Sequence, residues 1–344
     1  MKLTSRFHRA FVRRFFTNSL KPLLAFAGVL TLQGVASAQD SSSNSPATVP
    51  PPTTGVTDDT LGVSTNMITL AKPKRNQISV SGDYSMDQGK ITLPVGYSLA
   101  ASLKGFSPPA PSVANPKRDS DYYGGTISYS HGQAWFFDVS YAQGKSTGTQ
   151  DIDFGSYGKG TGTFTLDDDW YQAYVRYAFP KLRGKKLSAY ARLGATYVDS
   201  KLDFNSTSPV ALLGLYSQTD KTTDIYGNIG VGATYAFFTK GRFSMGLQGE
   251  IEGLGGERSQ DSLETLKDDP GLVPVTAHIN NTVYGGLGKA TLHLEYRLGK
   301  SGLCRLFLDG GAQFQYLEVS YPGAGDQSET LYGPYVKLGL RYSF

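Results

Sequence analysis

Few side chains in this sequence are of the types that carry out enzyme chemistry. Of four histidines, His8 lies in a basic N-terminal stretch, which leaves His131, His278 and His293 as candidates. A hydrolase needs a nucleophile and an orienting group near such an imidazole, together with an oxyanion pocket. No serine stands beside any of the three in a pattern that indicates this arrangement. The sequence therefore predicts that the protein is not an enzyme.

Residues that could bind a metal or undergo redox chemistry are also few. Asp151 and Asp153 form an isolated Asp-x-Asp pair in a glycine-rich segment. A calcium loop needs more oxygen ligands than this at defined spacing. The single cysteine, Cys304, has no partner with which to form an intrachain disulfide. We therefore expect no metal site and no cofactor.

The other charged residues become informative once the elements that carry them are considered. Ten segments alternate apolar and polar residues, which is the period of a β-strand with one apolar face. The first predicted strand is Ile91–Leu103 and the last is Lys337–Phe344. An extra alternating run at residues 78–84 would need a partner near residues 63–70, and would raise the count to twelve. We prefer ten strands and keep twelve as the alternative.

The connections between these segments alternate in length. Short links are expected at residues 131–134, 180–186, 239–242 and 299–303. Long polar loops are expected at residues 104–121, 143–165, 199–222, 253–280 and 318–330. Tight turns at one end and long loops at the other are typical of a closed antiparallel transmembrane β-barrel. The sequence thus predicts an all-β fold of this kind.

The C-terminal tail supports the same fold. Lys337, Gly339, Tyr342 and the terminal Phe344 stand in a strictly alternating strand that ends on an aromatic residue. This tail resembles the assembly signal of bacterial outer-membrane β-barrel proteins, and residues 77–344 resemble the small porin-like and opacity-protein-like barrels. The resemblance implies an outer-membrane location, short periplasmic turns and long outer loops. It also implies partners: the barrel-assembly machinery, periplasmic chaperones, and outer-membrane lipid with lipopolysaccharide.

The N-terminus fits export. Six basic residues and no acids precede Ala38, and the apolar stretch 23–35 is followed by a small-x-small cleavage pattern. We expect a signal peptide at residues 1–38, a flexible Ser/Pro/Thr-rich periplasmic leader at 39–76, and the barrel at 77–344. The whole chain carries +4, with 33 basic and 29 acidic residues, so the part after residue 38 carries −2. No nucleic-acid partner is indicated.

Strand parity points many charged side chains into the predicted lumen. Charges in a narrow barrel must be paired or hydrated. We expect Glu295, Asp309, Lys337 and Arg341 to form an ion-pair network, because they come from three consecutive strands. The full predicted lumen-lining set is Arg176, Arg192, Glu250, Lys289, Glu295, Arg297, Asp309, Lys337 and Arg341.

Two interpretations of this lumen remain open at this point. The charges could simply fill and brace a structural barrel, or they could line a narrow porin-like passage for small solutes or ions. An adhesin or receptor acting through the outer loops is the alternative function, and an outer-membrane hydrolase is the third. For Asp167, Asp168 and Asp169, we expect a solvated loop end or divalent-cation bridging to lipopolysaccharide.

Overall fold

A computed structural model of the chain describes residues 76–93, 112–132, 134–153, 159–179, 186–206, 215–266, 274–299, 301–321 and 325–344. These residues form β-strands and tight turns, and no helix that could cross a membrane is found among them. The predicted signal peptide and nearly all of the predicted leader lie outside the described residues.

Ten antiparallel strands make up the wall. The strands are β1 Gln77–Ile91, β2 Ser112–His131, β3 Trp135–Asp153, β4 Lys159–Ala178, β5 Leu187–Ser206, β6 Tyr216–Lys240, β7 Phe243–Leu266, β8 Val275–Leu298, β9 Cys304–Tyr321 and β10 Gly325–Ser343. Each strand pairs with its neighbours in sequence, and β1 pairs with β10, which closes the barrel. The predicted fold class and the count of ten strands are confirmed.

The register of the wall sets the tilt of the strands. The row of directly paired residues that starts at Gln77 runs through all ten strands and returns to β1 at Gly89, 12 residues further along. Such a stagger forces the strands to tilt against the barrel axis. Residues that face one another across the lumen are therefore far apart in sequence.

The predicted first strand is wrong. The wall begins with Gln77–Ile91, and Ile78, Val80, Gly82 and Tyr84 lie in it, paired with both β2 and β10. Ile91 ends this strand, and residues 94–103 lie outside the described part of the chain. The expected partner near 63–70 is not needed, because the 78–84 run replaces the 91–103 run and leaves the count at ten.

The long loops were also predicted too long. Strands β6, β7 and β8 run for 25, 24 and 24 residues and include much of the polar sequence assigned to loops. His278 accordingly lies in β8, and Asp167 to Asp169 lie in β4. A strand crosses a membrane in about 9–11 residues. The remainder of each long strand extends beyond that span, where alternation of apolar residues gives no signal.

The short connections mark one end of the barrel, here called the turn end. Gly241 and Gly299 have φ values of 61° and 69°, a left-handed conformation that glycine adopts without steric cost. Residues 180–185 of the predicted link between β4 and β5 are not described. The opposite end of the barrel is called the loop end.

The outer surface carries a band of exposed apolar side chains next to the turn end. Ile229 is 69% exposed and Leu193 64% exposed, as expected for side chains that face lipid. Aromatic residues border the band, with Trp135 packed on Tyr177 at the turn end and Tyr141 on Tyr171 further up. Such paired aromatic borders are typical of membrane interfaces.

A row of charged residues lies on the outer surface beyond the upper aromatic border. One register row there runs Asp121, Lys145, Asp167, Lys201, Lys221 and Asp261 from β2 to β7. A charged row of this kind cannot face hydrocarbon at acceptable cost. The part of the wall at this row and beyond therefore projects from the membrane.

Candidate functional site in the barrel lumen

A buried ion-pair cluster closes the turn end of the lumen. The two carboxylate oxygens of Glu295 accept hydrogen bonds from Arg305, at 2.9 Å, and from Arg341, at 2.6 Å. Glu295 and Arg341 are each 1% exposed. The Arg341 guanidinium also lies 5.1 Å from the centre of the Phe307 ring. This group, called the Glu295 cluster, joins β8, β9 and β10.

The neighbouring histidine is part of the same closure. His293 is fully buried, and its Nδ1 atom is hydrogen-bonded to Asp309. The imidazole lies between that aspartate and Glu295, whose Oε2 atom is 3.9 Å from Nε2. Glu295 is already paired with two arginines, so the hydrogen bond to Asp309 is the contact that positions the ring.

A second pair of cations lies on the other side of the lumen. Arg176 donates two hydrogen bonds to Asp138, at 2.6 and 2.7 Å, in the bidentate geometry that favours arginine over lysine. Arg192 binds Glu250 and lies 3.3 Å from Glu252. Strands β3, β4, β5 and β7 each contribute a charged side chain to this group.

Between these groups lies a chamber of about 190 Å³. Its charged lining residues are four cations, Arg176, Arg192, Lys289 and Lys337, and four carboxylates, Asp83, Asp138, Glu250 and Asp309. Polar residues including Gln172, Gln248, Gln313 and Tyr335 complete the wall. The chamber is charge-balanced and lies within the stretch of wall that carries the apolar outer band.

The loop half of the lumen holds another buried ionic cluster. Arg118, 2% exposed, binds Glu329 at 2.5 Å and Asp168 at 3.1 Å. Its Nε atom donates to Ser120 and Ser146. Arg258 holds Asp224 with two hydrogen bonds, at 2.8 and 2.7 Å. Through its contacts with Asp168 and Glu329, Arg118 joins strands β2, β4 and β10.

Sequence reasoning missed Arg118, Asp168 and Glu329 because it placed each of them in a loop or at a loop end. In this part of the wall the outer face is polar, so strands do not show alternation of apolar and polar residues. Residues 117–121 read Lys-Arg-Asp-Ser-Asp, with three consecutive charged residues, so the sequence around Arg118 gives no alternation that marks a strand.

Apolar side chains fill the remaining loop half of the lumen. One buried cluster comprises Ile91, Leu93, Ile152, Phe164, Leu166, Leu202 and Phe204. A second comprises Val198, Tyr226, Leu254, Val283, Leu317 and Val319. These side chains point inward in the projecting part of the wall, so the barrel has a protein-like core there.

A buried carboxylate is embedded in this projecting core. Asp220 is 2% exposed and accepts hydrogen bonds from Gln218, at 2.7 Å, and Gln260, at 3.0 Å. Burial raises the pKa of Asp220 to about 6, and the surrounding hydrogen bonds oppose the shift only in part.

The structure brings most of the predicted lumen residues together. Glu295 with Arg341, and Arg192 with Glu250, are in direct contact. Asp309 pairs with His293 instead of a cation from the predicted network, and Lys337 donates to Thr126 at 3.0 Å. Lys289 faces the chamber. Arg297 lies half-buried near the turn that follows β8.

The residues of the predicted assembly signal have defined places in the last strand. Gly339 pairs with Ser81 of β1 and with Phe307 of β9. A Cβ atom at this position would lie 2.4 Å from the Phe307 ring. The glycine is therefore required by local packing. Tyr342 pairs with Ile78 and Cys304, and Phe344 follows the end of β10.

The other chemically capable residues are dispersed. His278 is hydrogen-bonded to Asp261 at 2.6 Å on the exposed outer wall, and His131 lies beside Tyr129 at the turn end. Asp151 accepts a hydrogen bond from Asn115. Within the described ranges, no group of three or more His, Cys, Asp or Glu side chains could hold a metal ion.

Comparison with known proteins gives structural likeness without close relatives. No protein-family model and no curated protein matches the chain. The outer-membrane protease OmpT from Escherichia coli is similar at 12% identity and a TM-score of 0.47, covering 82% of this chain and all of that one. OprG from Pseudomonas aeruginosa is similar at 13% identity and a TM-score of 0.33, covering 79% and 97%.

The translocator domain of NalP from Neisseria meningitidis is similar at 10% identity and a TM-score of 0.37, covering 78% of this chain and 88% of that one. These three proteins differ in what their names describe, so the likeness assigns no activity. The chain has the architecture of bacterial outer-membrane β-barrels. Its own closed antiparallel register and apolar outer band are the evidence for that statement.

Proposed function

We propose that this protein is an integral β-barrel of a Gram-negative-type outer membrane whose lumen is closed at rest. It acts as a membrane-anchored structural barrel that raises its outer loops above the lipid surface. The carrying observation is the filling of the lumen: ionic clusters occupy the turn half and two apolar clusters occupy the loop half. An open pore would instead need a continuous wet path.

Barrel size supports this proposal. About eight strands leave an interior that side chains can fill, whereas barrels of 16–18 strands leave an aqueous channel. Ten strands lie near the filled end of this range. The charged residues expected at the sequence level to line a passage are in large part paired with one another, as Arg176 is with Asp138.

Conductance in planar bilayers tests the proposal. Wild-type protein should give no resolved single-channel steps. Two double variants, each of which shortens side chains at one closure of the lumen, should give none either. Phe307→Ala/Arg341→Ala alters the closure at the turn end, and Phe164→Ala/Phe204→Ala alters the apolar closure in the loop half. The quadruple variant, in which both closures are altered, should conduct. Regular wild-type steps whose ion selectivity changes in Lys337→Glu would overturn the closed barrel and support a porin-like passage.

A receptor or adhesin role for the loop end is the second candidate. It is favoured by the projection of the strands, which carry charged rather than apolar outer residues beyond the upper aromatic border. Deletion of residues 207–214 should remove binding to a ligand or surface while the barrel stays folded. Unchanged binding after deletion of this and the other loop segments, one at a time and together, would exclude the role.

The partners follow from the same proposal. The barrel would contact outer-membrane lipid and lipopolysaccharide through its apolar band, and the assembly machinery and periplasmic chaperones would recognise its tail. Removal of Phe344 should lower the folded fraction in the outer membrane without affecting folding into detergent in vitro. Normal assembly in cells would contradict the role assigned to the tail. We propose no enzymatic activity; any activity found that is lost in His278→Ala would contradict this.

A further inference from the structure

The chamber in the lumen holds polar groups that the surrounding protein does not satisfy. Three of its four carboxylates are engaged by neighbours: Asp138 by Arg176, Glu250 by Arg192, and Asp309 by His293. These pairs use both arginines of the chamber. The fourth carboxylate, Asp83, and the two lysines, Lys289 and Lys337, take no part in these pairs.

Lys289 is the less engaged of the two lysines. Glu250 lies directly opposite it in the register, but the Glu250 carboxylate is bonded to Arg192. Its side chain is exposed to the chamber, and no described residue accepts a hydrogen bond from its ammonium group. The contact it does make is with the Tyr335 ring, whose centre lies 5.8 Å from Nζ. An ammonium group has three donors. In a confined lumen these donors need acceptors that the protein does not supply.

Asp83 is the complementary anion. Its Oδ1 atom is buried and has no hydrogen-bond partner. Lys337 stands opposite Asp83 in the register but donates its hydrogen bond to Thr126. The chamber wall thus presents an unsatisfied donor on β8 and an unsatisfied acceptor on β1, with overall charge balance among its eight ionised side chains.

A glycine separates two residues of the chamber wall. Gly311 on β9 lies between Thr291 and Tyr335 in the register, and a Cβ atom there would lie 2.0 Å from the Ala290 carbonyl oxygen. Without a side chain on β9, Tyr335 reaches across to bond Thr291. Tyr335 then forms a flat wall beside Lys289.

We propose that the chamber binds a small zwitterion that carries a carboxylate and an ammonium group, of the size of a simple amino acid. The carboxylate of the ligand accepts from Lys289, and its ammonium group donates to Asp83. A charge-balanced wall disfavours a lone anion or a lone cation, because either would add net charge to a site of low dielectric. A zwitterion can bond to both Lys289 and Asp83 and adds no net charge to the site.

Because the lumen is closed at both ends, binding is tested by ligand stabilisation of the full-length barrel that has been folded in detergent micelles in the presence of the ligand. The midpoint of heat unfolding, followed by the gel shift between folded and unfolded protein, should rise with added alanine. Sodium acetate and methylammonium chloride at the same concentration and ionic strength should raise it much less. Lys289→Met and Asp83→Asn should each weaken the apparent affinity for alanine about tenfold or more, as expected for loss of a charge-assisted hydrogen bond.

Lys221→Met is the matched control, because Lys221 is an exposed lysine on the outer wall and should leave the response unchanged. An equal response to acetate and to alanine would overturn the zwitterion in favour of an anion site. A response that survives Lys289→Met, or no response at any concentration in a wild-type barrel shown to be folded, would overturn the site altogether. None of these outcomes depends on whether the barrel conducts.

Discussion

Removal of the Glu295 carboxylate should destabilise the barrel severely. Glu295 is the acceptor for both Arg305 and Arg341, and all three residues are at most 6% exposed. In Glu295→Ala two buried guanidinium groups lose the carboxylate that they share, and the neighbouring Asp309 is already bonded to His293.

The expected loss of stability follows from the two buried arginine charges that lose their shared carboxylate. Breaking one buried ion pair by removing one partner costs about 3–5 kcal/mol, most of it the penalty of the orphaned charge. Because a single carboxylate serves two arginines here, we expect a loss of about 4 kcal/mol or more. This is a large part of the ~5–15 kcal/mol that is typical of folded domains.

Urea unfolding of the barrel in lipid vesicles, followed by tryptophan fluorescence, measures this loss. Glu257→Ala, at an exposed carboxylate on the outer wall, is the control and should change stability by less than about 0.5 kcal/mol. Glu295→Gln keeps the shape and one acceptor oxygen, so it should cost less than Glu295→Ala.

A double variant separates pairing from packing. Glu295→Ala/Arg341→Ala removes one orphaned charge, and should therefore be destabilised by less than the sum of the two single variants. If Glu295→Ala were no more destabilising than Glu257→Ala, or if the double variant were strictly additive, the Glu295 cluster would not be a coupled buried network.

Three further predictions concern other parts of the wall. Arg118→Met should cost about 3–5 kcal/mol because it strands Glu329 and Asp168, and Lys145→Met on the outer wall should cost little in the same urea titration. Asp220 has its folded-state pKa raised from 3.8 to about 6, so the stability linked to it is fully present below about pH 4 and is lost as pH rises through 6, by about 3 kcal/mol. Asp220→Asn should remove this part of the pH dependence, and an identical profile would contradict the assignment. Gly311→Ala should abolish folding, since its Cβ would lie 2.0 Å from the Ala290 oxygen, whereas Gly310→Ala, whose Cβ meets nothing within 4 Å, should fold normally.

Much of the wall could be predicted from the sequence because its signal is local. Side chains alternate between faces of a strand with a period of two residues, so lipid-facing apolar residues mark each membrane crossing without knowledge of its neighbours. This is why the count of ten and the inward direction of Glu295, Lys289 and Arg341 could be predicted. The same rule failed at the first strand, where residues 78–84 and 91–103 show equally good alternation.

The lengths of the strands could not be predicted from this alternation. Above the membrane both faces of a strand can carry polar residues, so β6 to β8 showed no alternation over their outer halves, and these halves were assigned to loops. The outer parts of β2 and β10 were assigned to loops for the same reason, and these parts carry Arg118 and Glu329 of the buried cluster in the loop half. Arg118 and Glu329 are 211 residues apart in sequence, so their pairing depends on how the whole barrel closes.

The sequence by itself thus determined the wall: its strands, its lipid-facing side and its closed, antiparallel character. Only the tertiary structure decided which charges meet inside. The 12-residue stagger of the register shifts each strand relative to the next, so the height of a side chain in the lumen depends on all the preceding pairings. This is the reason that Asp309 faces His293 while Lys289 and Asp83 are left to face an open chamber.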